Sequence, residues 1–256
     1  MIPYIEHNSL PLGPVTIHLF GVLVATGILV GANWTHRRGK ELGLSANNIS
    51  SMITWTLVLG FICAHLFAVF AYKTKGDNPT LLEIVNPFGG LSSYGGFMGA
   101  LLGLFLWAWR SHQPVMKYAD SLGYGLSIGW MFGRLGCYSA HDHPGRFTEF
   151  WLSVPYPDGR RHDLGFDEAL WAAGVALLFW ILGRKNRPLG LYVSLLAFLY
   201  GPVRFAFDNL RVANVAGADI RYYGYTPAQY GSVLVSLMGM GLLVWTLNNA
   251  RRQKAA

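Results

Sequence analysis

The chain alternates long apolar runs with short polar connections. A helix needs about 20 mainly apolar residues to cross the hydrocarbon core of a bilayer. Seven runs reach or approach that length, at about 14–34, 51–72, 91–109, 118–138, 166–183, 189–207 and 229–248. They predict an all-α, polytopic integral membrane protein with seven transmembrane helices. The third run is unusual. Its apolar part, FMGALLGLFLWAW, is short, and it is preceded by NPFGGLSSYGG, which holds four glycines and little charge. Irregular backbone at membrane depth is tolerated where protein buries it or where it lines a wet cavity. Residues 86–96 therefore read as a Gly-rich broken or re-entrant segment before the third helix.

Composition agrees with this pattern. The 256 residues are 52% hydrophobic and only 13% charged, where a soluble chain carries nearer 25% charge. The formal charge of +7 would suit nucleic acid, but the basic residues sit in short loops between apolar runs, and no nucleic acid partner is expected. Cys63 and Cys137 both lie in apolar segments and form neither a disulfide framework nor a zinc pattern. MIPYIEHNSL lacks a basic leader, so no cleavable signal peptide is expected. With no repeat and no long linker, residues 1–256 read as a single membrane-embedded domain. Trp34, Trp55, Trp107, Trp109, Trp151 and Trp245 fall near proposed span ends, as an interfacial belt would.

Basic residues set the orientation. The connections 35–50, 110–117 and 184–188, together with the C-terminus, hold eleven Lys and Arg, against seven on the other side. The first side is expected to face the cytoplasm. The N-terminus and the longer connection at about 139–165 then face outward.

A few polar residues do not fit a purely apolar bundle. Arg134, in GRLGCYSAHDHPGR, follows a dozen uncharged residues. A charge at that depth costs at least about 2.5 kcal/mol on insertion scales and marks a candidate site. Its planar fork suits a phosphate, although a structural pair with an acid on a neighbouring helix is the alternative. In LYGPVRFAFDNLR, Arg204, Asp208 and Arg211 fall at i, i+4 and i+7 and share a helical face. Arg134 and Arg204 at matching depths would make an anion clamp. In the outer connection, His141 and His143 of an extended segment would point the same way and, with His162, could hold zinc. No cysteine there and no HExxH helix supports this, so neither a metal nor a cofactor is expected. Asp142 or Asp163 could instead tune a histidine for general-base work. His18 and His65 read as polar residues facing the interior or lining a cavity. Ser92, Ser93 and Tyr94 could receive an oxyanion in the Gly-rich break.

Together these segments resemble the bacterial prolipoprotein diacylglyceryl transferases over nearly the whole chain. GPVTIHLFG at 13–21 is similar to the family's opening motif, and GGLSSYGG at 89–96 to its Gly-Gly-x-Ser-x-His-Gly-Gly. GRLGC at 133–137 matches the signature Gly-Arg-x-Gly-(Asn or Cys). RHDLGFDE at 161–168, YGPVRFAFDNLR at 200–211 and TPAQ at 226–229 follow in the family's order. The chain departs from the pattern at Tyr94, where the family has histidine, at Phe20 and His65, and at Asp208, where the family has glutamate.

The resemblance implies transfer of a diacylglyceryl group from phosphatidylglycerol to the thiol of a lipobox cysteine, with release of glycerol phosphate. Its implied partners are phosphatidylglycerol, prolipoprotein signal peptides and membrane lipids, in a bacterial cytoplasmic membrane. Arg134 and Arg204 would stabilise the leaving phosphate, and His141, His143, His162 or Tyr94 would assist the thiol proton. Asp208, Arg211, His18, Ser93, Gly95, Gly96 and His162 would bind substrate. A non-catalytic phospholipid-binding relative and a transporter of an anionic lipid or solute are the alternative functions; against transport, no repeat or matched pair of broken helices is visible.

Overall fold

The computed structural model describes residues 2–6, 8–13, 15–71, 79–86, 90–212 and 221–255. It is mostly helical. Seven long helices run over Leu19–Glu41 (α1), Ala46–Ala71 (α2), Ser93–Ser111 (α4), Val115–Ala140 (α5), Leu164–Leu182 (α6), Leu191–Asn209 (α7) and Pro227–Ala255 (α8), and a short helix, Leu81–Val85 (α3), precedes α4. Five of these, α1, α2, α6, α7 and α8, are long and apolar enough to cross a membrane. Large side chains such as Leu29, Phe105 and Leu237 stand exposed, as faces turned to lipid do. The molecule is a polytopic membrane protein.

The sequence reading needs correction in four places. The first helix starts at Leu19, because an antiparallel hairpin, Ser9–Leu12 (β1) with Val15–His18 (β2), occupies the residues before it. The connection at about 139–165 is also not purely loop. Pro144–Phe147 (β3), Val154–Tyr156 (β4) and Gly159–Asp163 (β5) form a sheet in the order β3-β5-β4, so the fold is not all-α. The segment before α4 is broken, but Tyr94, Gly95 and Gly96 already belong to the helix, which Ser92 caps by accepting a hydrogen bond from the Gly95 N–H. Finally, Trp107 is buried and donates to the Ser51 hydroxyl at 3.1 Å, while Trp34 stacks on Tyr124. Trp107 is thus a core residue and not an interfacial anchor. Pro14, Lys73, Lys75 and residues 87–89 lie outside the described residues, as does the Ser93 side chain.

Two compact units can be distinguished, Met1–Arg38 with Asp120–Ala256, and Gly39–Ala119. In the smaller unit, α4 lays Gly95, Gly99 and Gly103 against α2. A Cβ at Gly99 would stand 2.2 Å from the Leu59 carbonyl oxygen, and one at Gly95 2.3 Å from that of Cys63. Small residues at i, i+4 and i+8 let two helices approach closely where no hydrophobic drive exists between them. His65 Nε2 lies 3.1 Å from both the Glu83 and Ile84 carbonyl oxygens and ties α2 to α3.

The larger unit uses the same device. Gly27 and Gly31 of α1 meet Gly125 and Gly129 of α5, where a Cβ at Gly125 would stand 2.2 Å from the Gly31 oxygen. The buried Arg38 carries this crossing to the next helix. It pairs with Asp120 at 2.9 Å, and Asp120 accepts the Tyr192 N–H at 2.8 Å, placing a carboxylate at the N-terminus of α7 as the helix dipole favours. Tyr124, Val175, Phe179 and Tyr192 form an aromatic core beside it. In α7, Pro202 cannot donate to the Phe198 carbonyl; the Ser236 hydroxyl of α8 does so instead, at 3.2 Å.

Candidate functional site

Three helices converge on one buried carboxylate. Glu168 lies in the first half of α6, and its Oε1 accepts from Arg134 of α5 at 3.1 Å and from the Trp130 indole N–H at 3.1 Å. Its Oε2 faces Arg204 of α7 at 3.8 Å. The two arginines expected to act together are thus joined through Glu168. The sequence reading missed this residue as a site member, although it ends RHDLGFDE and is a charge facing an apolar run. Arg204 also donates to Asp208 at 3.3 Å, and Arg211 lies 3.6 Å from the same carboxylate, so the i, i+4, i+7 triplet shares a face as its spacing predicts. Thr226 donates to Asp208 as well. Thr226 and Gln229 cap α8 reciprocally, and Gln229 reaches back to the Phe205 carbonyl of α7.

Three guanidiniums, Arg134, Arg204 and Arg211, face two carboxylates, Glu168 and Asp208. Arg134 and Glu168 are buried, and a charge kept at that depth marks a functional-site candidate. A Cβ on Gly133, the residue before Arg134, would meet nothing within 4 Å. Arg134 lies over the Trp130 ring, and Trp130 meets Tyr200 edge to face, so the guanidinium is held from one side.

The histidines are distributed differently from the extended-strand expectation. His141 sits at a positive φ of 49°, which turns the chain as α5 ends. Its Nδ1 lies 2.8 Å from buried Asp163, and its Nε2 accepts the Ile5 N–H at 3.0 Å. Nε2 therefore carries no proton and Nδ1 donates. Tyr4 stacks on the ring at 4.0 Å. Asp163 also caps α6 through the Phe166 N–H and accepts from the Tyr156 hydroxyl at 2.7 Å; burial and the Asp163 charge push the Tyr156 phenol up. His162 pairs with Asp167 at 3.0 Å, away from His141 and His143 in its bonding. The three histidines weighed as a joint zinc site thus have separate carboxylates.

His143 pairs with its neighbour Asp142. With Cys137, these residues bring a thiol, a carboxylate oxygen and an imidazole nitrogen within 4.8 Å of one another. Cys137 Sγ is in turn 3.9 Å from Arg134 Nη1. The segment after α5 therefore does reach the arginine cluster. His18 ends β2 and is exposed. Tyr94, Gly95 and Gly96 belong to the first turn of α4, in the other unit.

A profile of the prolipoprotein diacylglyceryl transferases matches residues 8–245. The chain is similar to the phosphatidylglycerol–prolipoprotein diacylglyceryl transferase of Staphylococcus carnosus, at 26% identity over 95% of this chain and 91% of the relative. Against the enzyme of Chromohalobacter salexigens the identity is 26%, covering 99% and 98%. Against that of Pseudomonas putida it is 27% over the full length of both.

Proposed function

The chain belongs to the prolipoprotein diacylglyceryl transferase family, and on that premise we propose that Arg134 and Arg204 are the groups with which it carries out the transfer. The reaction joins the glyceryl carbon of phosphatidylglycerol to the sulfur of a prolipoprotein cysteine and expels glycerol phosphate. The phosphodiester enters with one negative charge and leaves with two. The observation that supports the assignment is that Arg134 and Arg204, from two different helices, converge on one buried carboxylate, Glu168, at 3.1 and 3.8 Å. Preorganised charge of this kind, out of water, is usually the largest catalytic contribution. Glu168 and Asp208 hold the two forks in place, and Arg211 lies beside them.

The acceptor thiol becomes a thiolate at the end of α5. Of the two candidate histidines there, His143 meets it, while His141, with both nitrogens engaged, holds the segment. His162 and His18 border the substrate on the outer side. Tyr94, Ser93, Gly95 and Gly96 are assigned to lipid headgroup binding by the family pattern alone. Seven spans cross the bacterial cytoplasmic membrane, with the N-terminus periplasmic and the C-terminus cytoplasmic, a reading supported by the asymmetry of basic residues.

The test is transfer of labelled diacylglycerol from phosphatidylglycerol to a lipobox peptide by the purified protein. Labelled peptide is expected. Tight binding of phosphatidylglycerol with no labelled peptide would point to a non-catalytic relative, and lipid flux across vesicles without labelling to a transporter.

A further inference from the structure

We propose that Trp130 is a positioning residue for the transfer, whose indole N–H turns Glu168 so that Arg134 keeps one prong of its fork for the phosphate. This inference rests on the transferase reading and explains how a buried arginine with a counter-charge already beside it can still receive a leaving group. A guanidinium and a carboxylate favour two parallel hydrogen bonds, and that pairing would engage both prongs of Arg134. The contact made here is different. Arg134 Nη2 meets Glu168 Oε1 at 3.1 Å, while Nη1 is directed at the Cys137 thiol, 3.9 Å from Sγ. A thiol sulfur is a weak acceptor, so a phosphate oxygen can take its place. Glu168 Oε2 faces Arg204 at 3.8 Å instead of Arg134.

Trp130 keeps the carboxylate turned in this way. The last torsion of a glutamate side chain is broad, so the partners of its oxygens fix it. Trp130 Nε1 donates to Oε1 at 3.1 Å, the same oxygen that meets Arg134. Swinging Oε2 toward Arg134 Nη1 would draw Oε1 off the indole and give up that hydrogen bond, which is costly in a buried place. The indole ring is itself held. Arg134 lies over it, 5.2 Å from the centroid, and Tyr200 of α7 meets it edge to face at 5.4 Å. Trp130 and Arg134 are i and i+4 on α5 and share a face, so the side chain that backs the guanidinium also orients its counter-charge. One tryptophan thus divides Glu168 between Arg134 of α5 and Arg204 of α7. The prong left over is available where glycerol phosphate gains its added charge.

The test compares the full chain in detergent with Trp130→Phe, which keeps a ring beneath Arg134 and loses the donor. Glu168 is then free to take both prongs. The expected outcome is a kcat lower by about 10², the lower end of what one preorganised donor contributes, with KM for the lipobox peptide unchanged and an unfolding temperature equal to the parent's or above it. A merely structural tryptophan would give the reverse, a lowered unfolding temperature with kcat near the parent's. In Glu168→Gln, whose amide cannot accept from both prongs, Trp130→Phe should cost no further activity. If Glu168→Gln does not fold, the contrast between rate and unfolding temperature in Trp130→Phe decides alone. Equilibrium binding of labelled glycerol phosphate gives a readout free of turnover, and Trp130→Phe should weaken it at least about tenfold. A Trp130→Phe protein that binds glycerol phosphate like the parent, or whose loss of rate follows a loss of stability, overturns the positioning role and leaves the transferase reading standing. A parent that transfers nothing, but whose hold on glycerol phosphate depends on Trp130, upholds the role and overturns the transferase reading.

Discussion

At the scale of single residues, the arginine cluster separates charge from shape. Arg134→Lys keeps the charge that faces Glu168 but loses the two-pronged fork. The expected outcome is a transfer rate lower by about 10²–10³, the cost of removing one preorganised donor, with thermal unfolding close to the parent's. Transfer within a few-fold of the parent would mean that the fork is not used. Glu168→Gln asks the opposite question. It leaves two guanidiniums without their shared counter-charge, and breaking a buried pair in this way costs about 3–5 kcal/mol; the check is a lowered unfolding temperature in detergent. In the β3-β5-β4 sheet, the Arg161 guanidinium donates to Asp158 and holds that carboxyl below its usual range. The folded form then binds a proton less readily than the unfolded one, so the pair's contribution is present at neutral pH and lost as pH falls below about 4. Amide exchange in residues 154–163 should rise over that interval, and Asp158→Asn should remove the dependence. Arg134, Arg204 and Asp208 were legible in the sequence because a charge in an apolar run is conspicuous. Glu168 was harder to see, since it sits four residues from the helix start, where an acid is ordinary. The partners of His141 were not legible, because they depend on a positive-φ turn and on Ile5, far away along the chain.

At the scale of elements, glycine spacing decides which helices can meet and which leave room. Gly125 and Gly133 lie on the same helix and make opposite demands. A side chain at Gly125 would strike the Gly31 carbonyl of α1, while one at Gly133 would meet nothing within 4 Å. Gly125→Val should therefore prevent the α1–α5 crossing, seen as loss of a monodisperse folded protein. Gly133→Ala should keep or raise the unfolding temperature, since alanine is the better helix former by about 1 kcal/mol. If the open space beside Arg134 is where lipid approaches, the same variant should raise KM for phosphatidylglycerol. A variant that is more stable and fully active would remove lipid from that space. Hydropathy located every long helix, with ends that differ by up to seven residues, because bilayer length leaves few alternatives. It could not reveal the β1–β2 hairpin or the β3-β5-β4 sheet, whose strands are three to five residues long and lie in polar connections without clear alternation. Nor could it distinguish Trp107, buried on Ser51, from a tryptophan at an interface.

At the scale of the whole molecule, the parity of the spans constrains which way the chain threads the bilayer. Five of the seven long helices are apolar enough to cross by composition alone. The other two, α4 and α5, carry the glycines and polar groups assigned to function, and such groups lower mean hydropathy without preventing a span when they face protein. Five crossings and seven crossings are both odd, so either count puts the two termini on opposite sides. Only the crossing of one of α4 and α5 without the other would bring them together. The eleven-to-seven asymmetry of Lys and Arg then selects the side, because short basic loops are retained in the cytoplasm. Arg37, Arg38 and Lys40 directly end the first span, and Arg251, Arg252 and Lys254 end the last. These two clusters agree only if an odd number of crossings separates the N-terminus from the C-terminus and the C-terminus is inside. A reporter active only in the cytoplasm, fused after Ala256, should be active, and a single cysteine introduced at Ser9 in a chain with Cys63 and Cys137 replaced by serine should react with a membrane-impermeant thiol reagent in intact spheroplasts. Activity of a periplasmic reporter at the C-terminus would reverse the orientation. Labelling at Ser9 together with labelling beyond Ala256 would show an even number of spans and remove either α4 or α5 from the membrane.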